Sequence, residues 1–282
     1  MIDLHTHSTA SDGNLSPREL VREAKKSGLS ALALTDHDTL GGLPEAAAEA
    51  KAQGVGFIPG IEVSIRWEGL GRGGDMHLLG LGLRAPCPAF LAAVEELARR
   101  RRERNMEIMS RMRALGMTAE REEVAPAEGG HSVGRPHFAA FLVAKKIARN
   151  AEDAFARYLS PGRPLFVPKE GLDFDEAAGL IRGSGGIPVL AHPMSLFVAW
   201  GRLPALLAEL KDRGLLGLEA WHPTAKPRHC YRLEEAGRRL GLYITEGSDF
   251  HGETRPDRKL GYSGRGRKIS AELLEAMPEL TV

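Results

Sequence analysis

Residues 16–54 read SPRELVREAKKSGLSALALTDHDTLGGLPEAAAEAKAQG, and this stretch decides the fold. Its first part opens Ser-Pro and closes on Gly, the pattern of a helix capped at both ends. Its last part is rich in Ala, Glu and Lys and again closes on Gly. Between them ALALTDHD (31–38) is a short apolar run that finishes in Asp-His-Asp. Such a run, bounded by polar punctuation, reads as a buried strand. The unit is therefore helix–strand–helix.

The alternation continues outward. IDLHTH (2–7) precedes it, and GFIPGIEVSI (56–65), MHLLGLGL (76–83), IPVLAHP (187–193), LGLEAWHP (216–223) and LYITEGSDFH (242–251) follow. Helical patterns recur at 174–186, 203–214 and 226–241. Seven strands alternating with helices predict an α/β fold with a parallel sheet, closed into a TIM-like barrel, with an open doubly wound sheet as the second reading. One interval breaks the rhythm. About a hundred residues separate the fourth strand from the fifth, too many for one connection. Residues 88–116, 134–150 and 151–160 carry helical patterns. The expected organisation is a barrel from 1–85 and 167–282, with a helical insertion at 86–166 covering one end. The Arg run 99–102 reads as a solvated face paired with Glu95, Glu96, Glu103 and Glu107.

Composition narrows the function. The 282 residues hold 38 Lys and Arg against 37 Asp and Glu, so bulk charge gives no reason to expect a nucleic-acid or membrane partner. At 43% hydrophobic, the chain can bury a full core without disulfide staples. Two distant cysteines, Cys87 and Cys230, fit a reducing, cytoplasmic setting. The N-terminus lacks the pattern of a signal peptide, and no apolar run reaches the ~18 residues of a membrane span.

The ten histidines fall unevenly. His5 and His7 end the first strand, His37 the second, with Glu62 late in the third and His77 in the fourth. His192, His222 and the pair Asp249 and His251 close the last three. In a parallel barrel these ends share one face, where such folds keep their sites. Imidazoles and carboxylates gathered there are hard to bury without a cation. His5-Thr6-His7 puts both rings on one side of a strand, and Asp12 returns through the turn at Gly13. His5, His7, Asp12, His37, Glu62, His77, His192, Asp249 and His251 make nine candidate ligands, enough for two or three divalent transition-metal ions such as Mn, Fe or Zn.

His5-Thr6-His7, Thr35-Asp36-His37-Asp38, Gly60-Ile61-Glu62-Val63-Ser64, Ala191-His192-Pro193 and Ser248-Asp249-Phe250-His251 resemble, in that order, the motifs of the PHP (polymerase and histidinol phosphatase) domain. Gly134-Arg135-Pro136-His137-Phe138-Ala139 and Phe155-Ala156-Arg157-Tyr158-Leu159 resemble the stand-alone PHP phosphoesterases acting on nucleotides and RNA ends. The resemblance implies a distorted seven-stranded barrel and a trinuclear site. His5, His7, Glu62 and Asp249 would surround one ion. Glu62 would bridge to a second held by His77 and His192, and Asp12, His37 and His251 would hold the third. Leu165-Phe166-Val167-Pro168-Lys169 departs from the family's usual Tyr-Val-Pro continuation at the substrate wall.

Clustered ions suit phosphoester hydrolysis, because they lower the pKa of a shared water from ~15.7 toward ~7 and supply hydroxide. Arg135, with a planar fork matched to phosphate, and His137 are candidate substrate-binding residues. His222, at the mouth, is a candidate proton donor. Asp36 is a candidate orienting group for His37 or for water. His131 and His229 read as loop or surface histidines. The expected activity is hydrolysis of a nucleoside 3′,5′-bisphosphate or of the 5′ end of a short RNA. Histidinol-phosphate phosphatase and a catalytically silent metal-binding module are the alternatives. A phosphorylated small molecule is the expected partner, with no membrane and no protein partner.

Overall fold

The computed structural model describes residues 1–67, 74–118, 121–124 and 133–280. His131 lies outside them. Seven strands form one sheet in chain order: β1 (Ile2–Asp3), β2 (Ala31–Leu34), β3 (Gly56–Ile65), β4 (Met76–Leu81), β5 (Ile187–Leu190), β6 (Gly217–Trp221) and β7 (Tyr243–Glu246). The sheet curls into a nearly closed barrel. The gap between β1 and β7 is bridged past their ends, where Thr6 pairs with Phe250 and the His7 N–H donates to the Phe250 carbonyl at 2.9 Å.

The helices among the described residues are α1 (Pro17–Lys26), α2 (Leu43–Gln53), α3 (Pro88–Ala114), α4 (Arg121–Val124), α5 (Arg135–Ala144), α6 (Ala151–Ala154), α7 (Phe174–Gly183), α8 (Leu203–Asp212), α9 (Pro227–Arg239) and α10 (Glu272–Glu275). α1 starts as its sequence requires. Ser16 accepts from the Glu19 N–H and Glu19 returns to the Ser16 N–H, a closed capping box. Its Leu20, Val21 and Ala24 then bury against Leu32 and Leu34 of β2. Each large side chain so buried contributes about 1.5–3 kcal/mol before entropy is counted.

One strand departs from expectation. β4 runs antiparallel to both β3 and β5, so the sheet is not all-parallel. β3 and β4 are consecutive strands that pair antiparallel, so the chain reverses direction between them. The reversal carries functional weight. His77, near the beginning of β4, thereby reaches the end of the barrel where the other strands finish.

Inside the barrel, alternation separates two halves. Ala31, Ala33, Ile58, Leu79, Leu81, Ile187 and Val189 pack with Ile269, Met277 and Leu280, which plug one end. Moving along the same inward rows, four residues from Ile58 and two from Leu79, reaches Glu62 and His77. One set of strands thus supplies an apolar floor and a polar upper basin.

Between β4 and β5 the long α3 leads to a smaller apolar cluster in which Ile108 and Met112 meet Phe138, Leu142, Leu159 and Leu165. Here two helical expectations shorten. The pattern at 134–150 yields a helix that stops at Ala144, because Lys146 turns with φ +57°. The 151–160 pattern divides into α6 and a π-helical turn, Phe155–Leu159. The Arg99–Arg102 run also divides. Arg99 and Arg100 pair with Glu96, and Arg99 also with Glu103, as a solvated face would. Arg101 instead turns inward onto Asp38, since three or four residues span the full circumference of a helix.

Candidate metal centre

The first strand is held where its histidines need to be. Asp3 accepts from the backbone N–H groups of His5 (3.3 Å), Ser248 (3.0 Å) and Gly261 (2.7 Å). Burial raises its pKa to about 6 against the pull of those bonds. At Gly247 a Cβ would stand 2.3 Å from the His5 Cβ, so only glycine lets the strand after β7 pass this close. Gly13 is likewise demanded by close approach, a Cβ there lying 2.5 Å from the His7 carbonyl oxygen. Asp36 fixes the intervening loop. Its carboxylate accepts from the Ser8 N–H (2.8 Å), the Ser8 hydroxyl (2.6 Å) and the Ser11 hydroxyl (2.6 Å). It therefore faces the loop that delivers Asp12, and not His37.

All nine candidate ligands converge. His5, His7, Glu62 and Asp249 offer ligand atoms within 4.8 Å of one another. So do His7, Asp12, His37 and His251, and also His37, Glu62 and His77. His192 joins Glu62 at 2.8 Å and His77 at 3.3 Å. His7, His37 and Glu62 each belong to two of these groups, and Glu62 reaches furthest, with Oε2 facing His5 (3.3 Å), His7 (3.2 Å) and His37 (3.0 Å) and Oε1 facing His77 (2.7 Å) and His192.

The outward hydrogen bonds of these rings decide what faces inward. Glu219 accepts from His5 Nδ1 at 3.0 Å, which directs Nε2 into the basin, where it carries a proton until a metal ion displaces it. The Asp249 carbonyl accepts from His251 Nδ1 at 2.8 Å, leaving Nε2 against Asp12 Oδ1 at 3.2 Å. That Nε2, and His37 Nδ1, are buried without a hydrogen-bond partner. Lone pair thus faces lone pair, an arrangement that a shared proton or a metal ion can satisfy. The residues fit divalent ions.

Electrostatics agree. Burial opposes ionising Glu62, yet His37, His77 and His5 hold its pKa well below the usual carboxylate range. Burial likewise opposes protonating His5, but Glu219 and Glu62 outweigh it and raise the ring to about 10. Burial pushes His37 down to about 3 and His251 to about 4. Three residues at the rim, Asp38, His192 and Asp249, have φ of +53°, +27° and +50°. Such conformations cost about 1–3 kcal/mol each and need support. The support is visible. Ser64 donates to Asp38 through its N–H (2.7 Å) and its hydroxyl (2.6 Å), Glu219 takes the His192 N–H at 2.6 Å, and Arg258 grips the Asp249 carboxylate.

The remaining candidates sit around this basin. The Thr224 N–H points at His222 Nδ1 (3.3 Å), so Nε2 is left to donate to Asp249 Oδ2 (3.1 Å). Burial holds the His222 pKa well below normal, which makes it neutral at pH 7. Arg135 pairs with Asp75 at 3.3 Å and lies over Phe166. Asp75 in turn accepts through its carbonyl from Ser195, whose hydroxyl also meets His192 Nδ1. His137 Nδ1 accepts from the Gly134 N–H at 3.1 Å, closing the start of α5 and leaving Nε2–H as a donor. His229 lies apart, beside Arg228 and Trp200.

Sequence reasoning missed five residues here. Glu219 links His5 to the His192 backbone; a lone buried Glu within LGLEAWHP was the available signal. Lys169 stands 3.2 Å from His77 Nε2, its pKa pushed down to about 8 by burial. Arg258, Arg101 and Arg104 are each nine-tenths or more buried, and nothing in a charge run distinguishes an inward arginine from an outward one.

Comparison with known proteins agrees with this geometry. The PHP domain profile matches residues 3–123. A 3′,5′-nucleoside bisphosphate phosphatase of Chromobacterium violaceum is 33% identical over 93% of this chain and 91% of its own. A 5′-3′ exoribonuclease of Haemophilus influenzae is 35% identical over 88% of this chain and 89% of its own. Among solved structures, an amidohydrolase from Chromobacterium violaceum superposes with a TM-score of 0.85 at 32% identity, covering 98% of this chain and 96% of that one. A candidate metal-dependent phosphoesterase from Bifidobacterium adolescentis also gives 0.85, at 28% identity, covering 100% and 96%.

Proposed function

Because this chain belongs to the PHP-domain family of phosphoesterases, we propose that it is a metal-dependent hydrolase of nucleotide phosphoesters, acting on a nucleoside 3′,5′-bisphosphate or on the 5′ end of a short RNA. The observation that carries this reading is the basin of inward lone pairs and ionised carboxylates around Glu62. We assign His5, His7, Glu62 and Asp249 to one ion, Glu62, His77 and His192 to a second, and Asp12, His37 and His251 to a third. The mixed nitrogen and oxygen donors suit Mn, Fe or Zn. When bound, such ions supply a water of lowered pKa and neutralise charge on the phosphoryl oxygens.

The chain's own groups do the rest. Asp36 holds the loop that brings Asp12 in, and so acts as a positioning residue. His222, neutral and donating to Asp249, also orients a ligand; a ring in that state is a poor proton donor to a leaving oxygen. Arg135 and the Nε2–H of His137 face substrate from residues 86–166, the segment read as a cover over the barrel mouth. Two free cysteines suit the cytoplasm. No helix among the described residues is long and apolar enough to cross a membrane.

A hydrolysis screen with Mn²⁺ tests the reading. Nucleoside 3′,5′-bisphosphates, 5′-phosphorylated oligoribonucleotides and histidinol phosphate are compared at equal concentration. Turnover confined to the nucleotides is expected. Preference for histidinol phosphate, or metal binding with no turnover of any substrate, overturns it.

A further inference from the structure

Two segments leave the basin side by side. One follows β5 and starts at His192; the other follows β6 and starts at His222, and these two rings lie 5.5 Å apart. The segments stay together further out. The Trp200 ring meets the His229 ring at 5.0 Å, and the Arg232 guanidinium lies 4.2 Å over Trp200. Barrels of this kind build their sites from such connections at the mouth. Residues 193–208 and 220–233 contain no Asp or Glu, yet hold Arg202, Lys226, Arg228 and Arg232. Arg202 lines a separate pocket with Asp173 and Glu209. The other three are exposed, and none has a carboxylate partner among the described residues. The next acids along α9 are engaged, Glu234 by Trp221 and Arg238 and Glu235 by Arg239. His229 registers the imbalance. Burial lowers its pKa, and Arg228, Lys226 and Arg232 lower it further, with no carboxylate acting against them. The first segment also carries Phe197, at 68% the most exposed large apolar side chain among the described residues. Its φ of +51° is a left-handed conformation that a bulky residue rarely adopts. Strained backbone thus holds out a ring that buries little within this chain, and such strain collects at functional sites.

We propose that the strip formed by Phe197, Trp200, Lys226, Arg228, His229 and Arg232 is a track for single-stranded RNA, carrying the nucleotides that follow a 5′ end lodged in the basin. The inference rests on the phosphoesterase reading above and narrows its substrate to RNA. A single strand presents phosphates and unpaired bases along one surface, and the strip answers both. Lys226, Arg228 and Arg232 offer unpaired positive charge to the phosphates. Arg232 lies flat on Trp200, which leaves the edges of its guanidinium free to donate. Phe197 offers an open ring on which any base can stack. An acidic peptide would use the cations and leave that ring idle. A duplex keeps its bases stacked away from it.

Three measurements on the full-length protein test this. First, a 5′-phosphorylated, 3′-labelled oligoribonucleotide of about ten residues is bound to metal-free protein, and fluorescence anisotropy follows its affinity as salt is raised. Each phosphate neutralised adds about 0.7 to the slope of log affinity against log salt, so the triple variant Lys226→Gln, Arg228→Gln, Arg232→Gln is expected to lower that slope by about 2. Second, Phe197→Gly is expected to weaken binding about fivefold or more. Its melting temperature should be unchanged or raised, since glycine accepts the left-handed backbone. Third, with Mn²⁺ loaded, the triple variant is expected to lose about tenfold or more in kcat/KM on the oligoribonucleotide, with a loss at least about threefold smaller on adenosine 3′,5′-bisphosphate. An unchanged salt slope overturns the track, and so does equal RNA affinity of wild type and Phe197→Gly. Duplex RNA bound as tightly as the single strand overturns it in favour of charge alone, and a polyglutamate peptide bound as tightly overturns it in favour of a protein partner. If wild type hydrolyses neither substrate, the proposed function fails, while the anisotropy still decides the track.

Discussion

The basin around Glu62 and the cleft beside α3 are adjacent and differ in kind. In the basin, imidazole nitrogens and ionised carboxylates crowd together, with His5, His251 and His192 fixed from behind by Glu219, a backbone carbonyl and a serine. In the cleft, charges of both signs meet, Asp38, Glu103, Glu107 and Glu170 beside Arg100, Arg101, Arg104 and Lys169. Only the basin carries an excess that its own residues do not neutralise. It calls for cations, which a metal-activated phosphoesterase supplies. Lys169 stands at their boundary.

The comparison breaks most readily at Glu62. If both carboxylate oxygens serve ions, Glu62→Gln should lower kcat on the order of 10³-fold or more on every substrate while the fold persists, because an amide offers one neutral acceptor oxygen in place of two charged ones. Near wild-type turnover in the metal-loaded variant would show that Glu62 is not shared. Outside the basin, Arg135→Ala should cost roughly 30- to 1,000-fold in kcat/KM on a nucleoside bisphosphate and far less on p-nitrophenyl phosphate. Arg135→Lys should recover part of that. Equal losses on both substrates, with lowered thermal stability, would reduce Arg135 to its Asp75 pairing at the start of α5. A smaller effect is expected from Glu219→Gln, which removes the charge behind His5 without emptying the space. Metal affinity should weaken by about 10- to 100-fold, read by competition with a chelating dye; unchanged affinity would leave Glu219 as ordinary core.

Least in size is a pH effect confined to the metal-free protein. The His5 pKa is raised to about 10 by Glu219 and Glu62 against burial. Its stabilisation is therefore fully present below the unfolded value near 6.5 and is lost as pH rises through 10. Metal-free protein should melt at progressively lower temperature from pH 6.5 to 8, beyond which the lowered pKa of Lys169 begins to act in the opposite sense. Ions that displace the His5 proton should flatten that slope. An equal slope in both forms would place His5 outside the ligand set.

Most of the basin was legible because strand ends announce themselves: an apolar run that stops on His or Asp places that side chain at the barrel mouth. Two signals were misleading. The direction of β4 is invisible in MHLLGLGL, since a buried strand reads alike in either sense, and it is the reversal that lets His77 join. The Arg run gave no sign that Arg101 and Arg104 turn inward, because helix phase relative to a barrel depends on where α3 docks. Glu219 and Arg258 were overlooked for a related reason. Each acts on a ligand from behind, and neither falls at the end of a strand.

The central claim is that the basin is built for several ions, and elemental analysis of gently purified protein tests it most directly. Two or three transition-metal equivalents per chain are expected, removable by chelation and regained on reconstitution with Mn²⁺, Fe²⁺ or Zn²⁺. No more than one equivalent, with none regained, would contradict it.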